Sequence, residues 1–416
     1  MNLKYSLKNS YTIFVFFICL DVLAQKPLIT DHSHTMLGLK KYHAMGYTGK
    51  GVTIAVLDNG FYKVDSIKAF EHLRNRNGIL GTFDVIANDS NVFDRGSHGL
   101  YVLSTMVAFK KDSFVGSAPE ANYLLVHTED SRWEIHQEEQ DWRTGALWAI
   151  ENGADIINSS LGYSLFDSLE GDYAYQDMDG KTTLVTKAAE EASKNILVVN
   201  SAGNAGNQPW YRITAPCDGP SVFCIGAVDS FGKVASFSSR GPSADGRIKP
   251  NVSAMGARVA FINRQGNIQK ASGTSFSSPL ISGMMACLKQ AFPNASNHLL
   301  MRSVEQSASH YLNPNDSIGY GIPNVLVADS ILRCALASET TYIKKTAPLV
   351  FPNPSNAVVF VDHSHPLRLL ELRNITGELV LTENKGQIDI SSLSRGTYFL
   401  YIEDINQDFW VKKIQK

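Results

Sequence analysis

Short, mostly apolar runs alternate along most of the chain with longer segments whose apolar residues return every three or four positions. The runs at 52–57 (Val-Thr-Ile-Ala-Val-Leu), 121–126, 154–158 and 196–200 are of the first kind, and stretches of this length and β-branching suit strands covered on both faces. Leu100, Leu103, Met106 and Val107 fall on one helical face, and residues 142–152 and 182–194 also read as helices. Residues 280–288, after Pro279, form an apolar run that reads as a buried helix. Such alternation predicts a mainly parallel sheet with helices on both faces, the α/β class.

The pattern breaks near each end. Lys4 and Lys8 precede the apolar residues 13–20, and Val22-Leu-Ala24 offers small residues for cleavage. Residues 1–24 are therefore expected to be a signal peptide, and residues 25–40 a short lead with no room for a folded segment. Residues 338–348 turn Ser/Thr-rich and read as a linker. Beyond it, short stretches at 357–361, 367–373, 378–382, 387–390, 396–402 and 409–414 predict a small β-sandwich over 349–416. The α/β body then occupies 41–337. No apolar run is long enough to span a bilayer as an ordinary helix, so no transmembrane helix is expected.

Composition adds bounds. The 416 residues are 44% hydrophobic, enough for a large core, and Lys+Arg 38 against Asp+Glu 40 leaves a net charge of −2. Nothing in that balance attracts nucleic acid or an anionic membrane, so function must reside in a site. Export leaves Cys217, Cys224, Cys287 and Cys334 where disulfides persist. Cys217 and Cys224 flank the turn Asp218-Gly-Pro220 and are the better pair for a bridge, two half-buried thiols being the alternative. Cys287 reads as a small core residue. Glu129, Asp130, Glu134, Glu138, Glu139 and Asp141 read as a solvated acidic segment, which would favour basic peptides if it bordered a cleft. Asp177 and Asp179 are too few to define a calcium site.

Candidate chemistry sits at punctuation points. Asp58 ends the first core strand, where functional groups of α/β sheets collect, and Asn59-Gly60 turns the chain away. His98, between Ser97 and Gly99, opens a helix. Asn204 offers amide donors just after the 196–200 strand. Ser275, within Ala271-Ser-Gly-Thr-Ser-Phe-Ser-Ser-Pro279, opens a later helix, with its N–H available to an anion. Gly273 is expected to allow a sharp turn and Pro279 to fit the helix's first turn. The Ser275 hydroxyl needs a base before it becomes a nucleophile.

The words Ala55-Val-Leu-Asp58-Asn-Gly60, Ser97-His98-Gly99, Ser201-Ala-Gly-Asn204 and Ser272-Gly-Thr-Ser275 together resemble, in this order, those of the subtilisin-like serine peptidases. Ser160-Leu-Gly162, Phe237-Ser-Ser-Arg-Gly-Pro242 and Lys249-Pro-Asn251 extend the resemblance over residues 40–335. It implies a subtilisin-like three-layer fold, with Asp58, His98 and Ser275 as the triad and Asn204 as oxyanion donor. It also implies that Ser160, Leu161 and Gly162 pair with the substrate backbone. Such an enzyme takes protein or peptide substrates and needs no cofactor for its chemistry; structural calcium stays open.

The chain departs from the family wording at Asn59, at Gly99-Leu-Tyr101 and at Ser275-Phe-Ser-Ser-Pro279, and residues 25–40 are too short for a folded inhibitory pro-segment. A catalytically impaired relative that binds peptides in the same cleft is the alternative these changes raise. Sedolisin-type peptidases share the Ser-Gly-Thr-Ser word, but His98 and Asn204 argue against them. At the C-terminal end, Phe351-Pro-Asn-Pro354, Ile388-Asp-Ile-Ser-Ser-Leu393, Gly396-Thr-Tyr398 and Val411-Lys-Lys-Ile-Gln-Lys416 resemble the type IX secretion sorting domain of Bacteroidetes. That resemblance implies an outer-membrane translocon as partner and a secreted or cell-surface location. A carbohydrate- or protein-binding sandwich is the alternative.

Overall fold

The computed structural model describes residues 27–167, 171–341, 348–363, 365–405 and 409–416. The expected signal peptide lies outside the described residues. The chain divides into two compact units, with the break between Leu332 and Arg333.

The first unit is built on seven strands: β1 Thr53–Asp58, β2 Ile79–Asp84, β3 Asn122–His127, β4 Ile156–Ser159, β5 Leu197–Ser201, β6 Phe223–Val228 and β7 Val252–Met255. All neighbours pair in parallel, and the order across the sheet is β2-β3-β1-β4-β5-β6-β7. Every residue of β1 is buried, as a strand covered on both faces requires.

Six helices matter for the site: α1 Asp31–Met36, α2 Leu39–Ala44, α3 His98–Val107, α4 His136–Glu151, α5 Leu184–Ala192 and α6 Thr274–Ala291. Alternate strand side chains, among them Ala55, Leu57, Val126, Ile157 and Val198, pack with Trp142 and Ala146 of α4 and Val185 and Ala189 of α5. The intervening side chains face the other way, where α3 and α6 lie against the sheet and against each other. A three-layer α/β fold results. Trp142, fully buried, keeps its indole N–H satisfied by donating to Ser159 Oγ at 3.0 Å.

Three expectations need correction. The lead is folded: α1 lies within it, Leu37 and Leu39 are fully buried, and Val325 N–H donates to Leu37 O. Leu37 and Leu39 bury themselves in the large unit, so the segment needs no core of its own. α4 begins at His136, six residues before the expected 142, and takes in much of the acidic segment. The linker expected from 338 begins as helix, because the helix Val325–Thr341 runs through its first four residues. Extending a formed helix gains one hydrogen bond per residue, which outweighs the weak propensity of Ser and Thr.

The second unit is a sandwich of two antiparallel sheets. Leu349–Phe351, Val358–Asp362 and Gln387–Asp389 form one sheet; Leu379–Glu383, Leu367–Asn374, Thr397–Asp404 and Phe409–Gln415 form the other. Val359, Val361 and Ile388 of the first meet Leu370, Leu372, Leu400, Ile402 and Ile414 of the second. The strict burial alternation of Thr397–Asp404 gives a strand with one face on the core.

Candidate active site

Parallel register puts the candidate residues on one edge. Leu57 stands opposite Ser159 and Ser159 opposite Asn200. Asp58, Ser160 and the loop carrying Asn204 therefore leave three adjacent strands together, at the carboxyl end of the sheet.

Asp58 is fully buried. Its Oδ1 accepts the Asn59 backbone N–H at 2.8 Å and the His98 Nδ1–H at 2.8 Å. That bond leaves Nε2 as the ring's outward nitrogen, with the His98 side chain 35% exposed. Burial disfavours charging the ring, but the Asp58 charge and hydrogen bond outweigh it and hold His98 above the ordinary imidazole value of 6.5.

His98 is positioned by a residue whose role was not foreseen. Ser97 occupies the cap position of α3 without a side-chain bond. Asn59 Oδ1 instead accepts the His98 N–H at 3.0 Å and the Gly99 N–H at 3.5 Å. One side chain thus ties the loop after Asp58 to the first turn of the helix carrying His98. Gly99 permits that closeness: a Cβ there would lie 2.5 Å from Gly60 O and 3.0 Å from Asp58 Cβ. The departure at Asn59 therefore preserves the Asp58–His98 pair, removing one ground for the impaired-relative reading.

Ser275 lies in the first turn of α6, 7% exposed. Pro279 is not in that first turn but sixth in the helix. Lacking an N–H, it leaves the Ser275 carbonyl without its partner four residues on. Ser160 Oγ supplies one at 3.2 Å, and Ser275 Oγ donates back to Ser160 O at 3.4 Å. The two serines are thereby locked face to face, although the nucleophile's own bond is long. A proline four residues after the serine was the available signal for this orphaned carbonyl. Gly273 is also corrected: its φ of 162° is extended backbone, and a Cβ there would make only ordinary contacts, with the Asn204 amide at 3.7 Å and the Phe276 ring at 3.8 Å.

Asn204 Oδ1 accepts from Thr274 N–H at 2.8 Å and Thr274 Oγ1–H at 3.0 Å. Both donors fix which end of the amide faces α6, and Nδ2 is left with no partner among the described residues, beside the first turn that bears Ser275. On the other side, Asn200 Nδ2 donates to Leu161 O at 2.9 Å. Residues 160–162 then run along the rim until Tyr163, whose backbone pairs with Ala215.

A cavity of about 410 Å³ adjoins His98 and is lined by Asp58, Leu161, Glu134, Asp167 and Glu138 among others. The acidic segment is thus not simply a solvated face. Glu129, Glu138 and Glu139 are buried. Tyr163 Oη donates to Glu129 at 2.7 Å, Glu138 takes the N–H groups of Asp130 and Ile135, and Glu139 takes that of Val185. Burial pushes Glu138 up to about 7. Asp177 and Asp179 accept backbone N–H groups in their own turns, from Ala174 and from Lys181 and Thr182.

Cys217 and Cys224 are joined in a disulfide. Lys249, 2% exposed, reaches into the loop they close and donates to Gly219 O at 2.7 Å and Val222 O at 2.8 Å. Cys287 is buried in α6, as a core residue should be.

The fold and the groups gathered at its sheet edge define an α/β serine peptidase. The subtilase family matches residues 49–321, and a secretion system C-terminal sorting domain matches residues 349–416. The chain belongs to the subtilase family. It is 30% identical over 295 residues to subtilisin E of Bacillus subtilis (strain 168), covering 69% of this chain and 68% of that one. It is 27% identical over 335 residues to serine protease AprX of the same organism, covering 75% and 72%. Among solved structures, the MycP3 protease from the type VII (ESX-3) secretion system superimposes with a TM-score of 0.59 at 20% identity, covering 74% of this chain and 90% of that one. The prenylagaramide maturation protease PagA does so at 0.54 and 25% identity, covering 71% and 98%.

Proposed function

We propose that the chain is a secreted or cell-surface endopeptidase in which Asp58, His98 and Ser275 act as a triad and Asn204 as oxyanion donor. The single observation that carries this reading is the 2.8 Å bond from His98 Nδ1 to buried Asp58, which fixes the tautomer whose free Nε2 can accept a proton. His98 takes the Ser275 proton as Oγ attacks the scissile carbonyl, then delivers it to the leaving amine; water repeats the sequence to hydrolyse the acyl-enzyme. The Asn204 amide and the Ser275 N–H hold the oxyanion. His98 and Ser275 open two helices packed on each other, and releasing the long 3.4 Å bond to Ser160 O costs Ser275 little. Ser160, Leu161 and Gly162 present the backbone edge along which substrate lies. The carboxylates of Glu134 and Asp167 on the wall of the adjoining cavity favour substrates with basic side chains.

The sorting domain supports delivery by a type IX translocon, and among the described residues no helix is long and apolar enough to cross a membrane. Casein hydrolysis by Ser275→Ala tests the catalytic assignment. A loss of about 10⁶-fold in kcat is expected, a magnitude taken from subtilisin itself and not from this structure. Unchanged hydrolysis would refute the assignment.

A further inference from the structure

The C-terminal sandwich carries a second cluster of chemistry-bearing side chains, which peptide hydrolysis does not use. His363 follows the strand Val358–Asp362 of the three-stranded sheet, and His365 precedes Leu367–Asn374 of the four-stranded one. Asp404 ends the strand Thr397–Asp404 directly opposite Leu367. The three residues therefore meet where the chain passes from one sheet to the other. One donor atom from each lies within 4.8 Å of the other two.

The distances within the cluster leave room for a shared cation. His363 Nε2 lies 3.4 Å and His365 Nδ1 3.8 Å from the same oxygen, Asp404 Oδ2. Both exceed the roughly 2.7–2.9 Å of a charge-assisted hydrogen bond. They lie closer to the edge of about 3.3 Å expected of a tetrahedron whose corners sit about 2.0–2.1 Å from a zinc ion, and the remaining separation is no more than 4.8 Å. The burial is also that of a built site: the Asp404 side chain is fully buried, that of His363 is 2% exposed and that of His365 54%. Trp410 meets the His363 ring edge to face at 4.7 Å and holds its orientation. The other His363 nitrogen, Nδ1, is buried with no hydrogen-bond partner among the described residues, so the ring is poorly served as a mere ion-pair partner.

We propose that His363, His365 and Asp404 form a three-ligand site for a borderline divalent cation of the zinc class, with a fourth position open on the His365 side. Two imidazoles and a carboxylate suit such a cation better than calcium or magnesium, which prefer oxygen alone. A bound ion ties the crossover between the sheets to the end of Thr397–Asp404, and because it binds only the folded sandwich it stabilises that fold.

The test uses the full chain, dialysed against micromolar zinc chloride and assayed for metal content, beside His365→Ala and Asp404→Asn. His365 is half-exposed and its truncation leaves the sandwich core untouched, so that variant is expected to keep the wild-type circular dichroism spectrum. The wild type should hold one more equivalent of zinc than either variant, and zinc should raise its melting temperature and not theirs. Equal zinc content in all three proteins, with the His365→Ala spectrum unchanged, would overturn the proposal.

Discussion

His98 is pulled both ways: burial favours the neutral ring, whereas Asp58 favours the cation and prevails. In the proposed triad only the neutral ring can accept the Ser275 proton, so activity is expected to fall as pH drops through the His98 value. Because that value is raised, the acid limb of kcat/KM should have its midpoint above 6.5, and Asp58→Asn should move the limb downward. A pH profile of the wild type with its midpoint below 6.5 would contradict this balance. The candidate residues Asp58, His98, Asn204 and Ser275 stood out in the sequence because each follows a strand or opens a helix, where short polar words interrupt apolar runs. The hydroxyl of Ser160 did not, because its partner is a carbonyl 115 positions away. Glu138 and Glu139 misled for a related reason. A run of carboxylates reads as solvated, yet these two take up N–H groups at helix starts that the fold buries.

At the level of elements, the entry into α3 depends on Asn59 from outside the helix. Asn59→Ala should cost about 1 kcal/mol of stability, as loss of a cap typically does. Because the capped turn bears His98, kcat should drop more than KM changes, while Asn59→Ser should recover part of both. Thermal denaturation alongside steady-state kinetics checks this; equal kcat for Asn59→Ala and wild type would show that the cap does not position the base. The strands β1, β3, β4 and β5 were readable from their apolar runs, and they are the ones in the middle of the site. β2, with Gly81 and Thr82 and partial burial at the sheet edge, gave no such run. β7 is only four residues long and follows a proline-containing turn. In the sandwich, Leu349–Phe351 escaped notice because it is only three residues long and runs straight into Pro352 and Pro354.

At the level of the whole molecule, two units with separate cores match two families, the subtilase family and the sorting domain, and the proposed function assigns a task to each. Removing residues 349–416 should leave a casein-hydrolysing peptidase unit in cell extracts and abolish its delivery to the surface or medium. Normal delivery of the truncated chain would contradict the sorting role. The division was visible as a change from α/β alternation to short strands, whereas its boundary was not, since the helix Val325–Thr341 crosses the composition change. The central claim is that the hydroxyl of Ser275 becomes a nucleophile through His98, and covalent labelling with a serine-directed phosphonate followed by peptide mass mapping tests it most directly. The adduct is expected on Ser275 alone, absent in Ser275→Ala and formed at least a hundredfold more slowly in His98→Ala, of the order that loss of a general base entails. Labelling of a different residue, or a rate indifferent to His98→Ala, would contradict it.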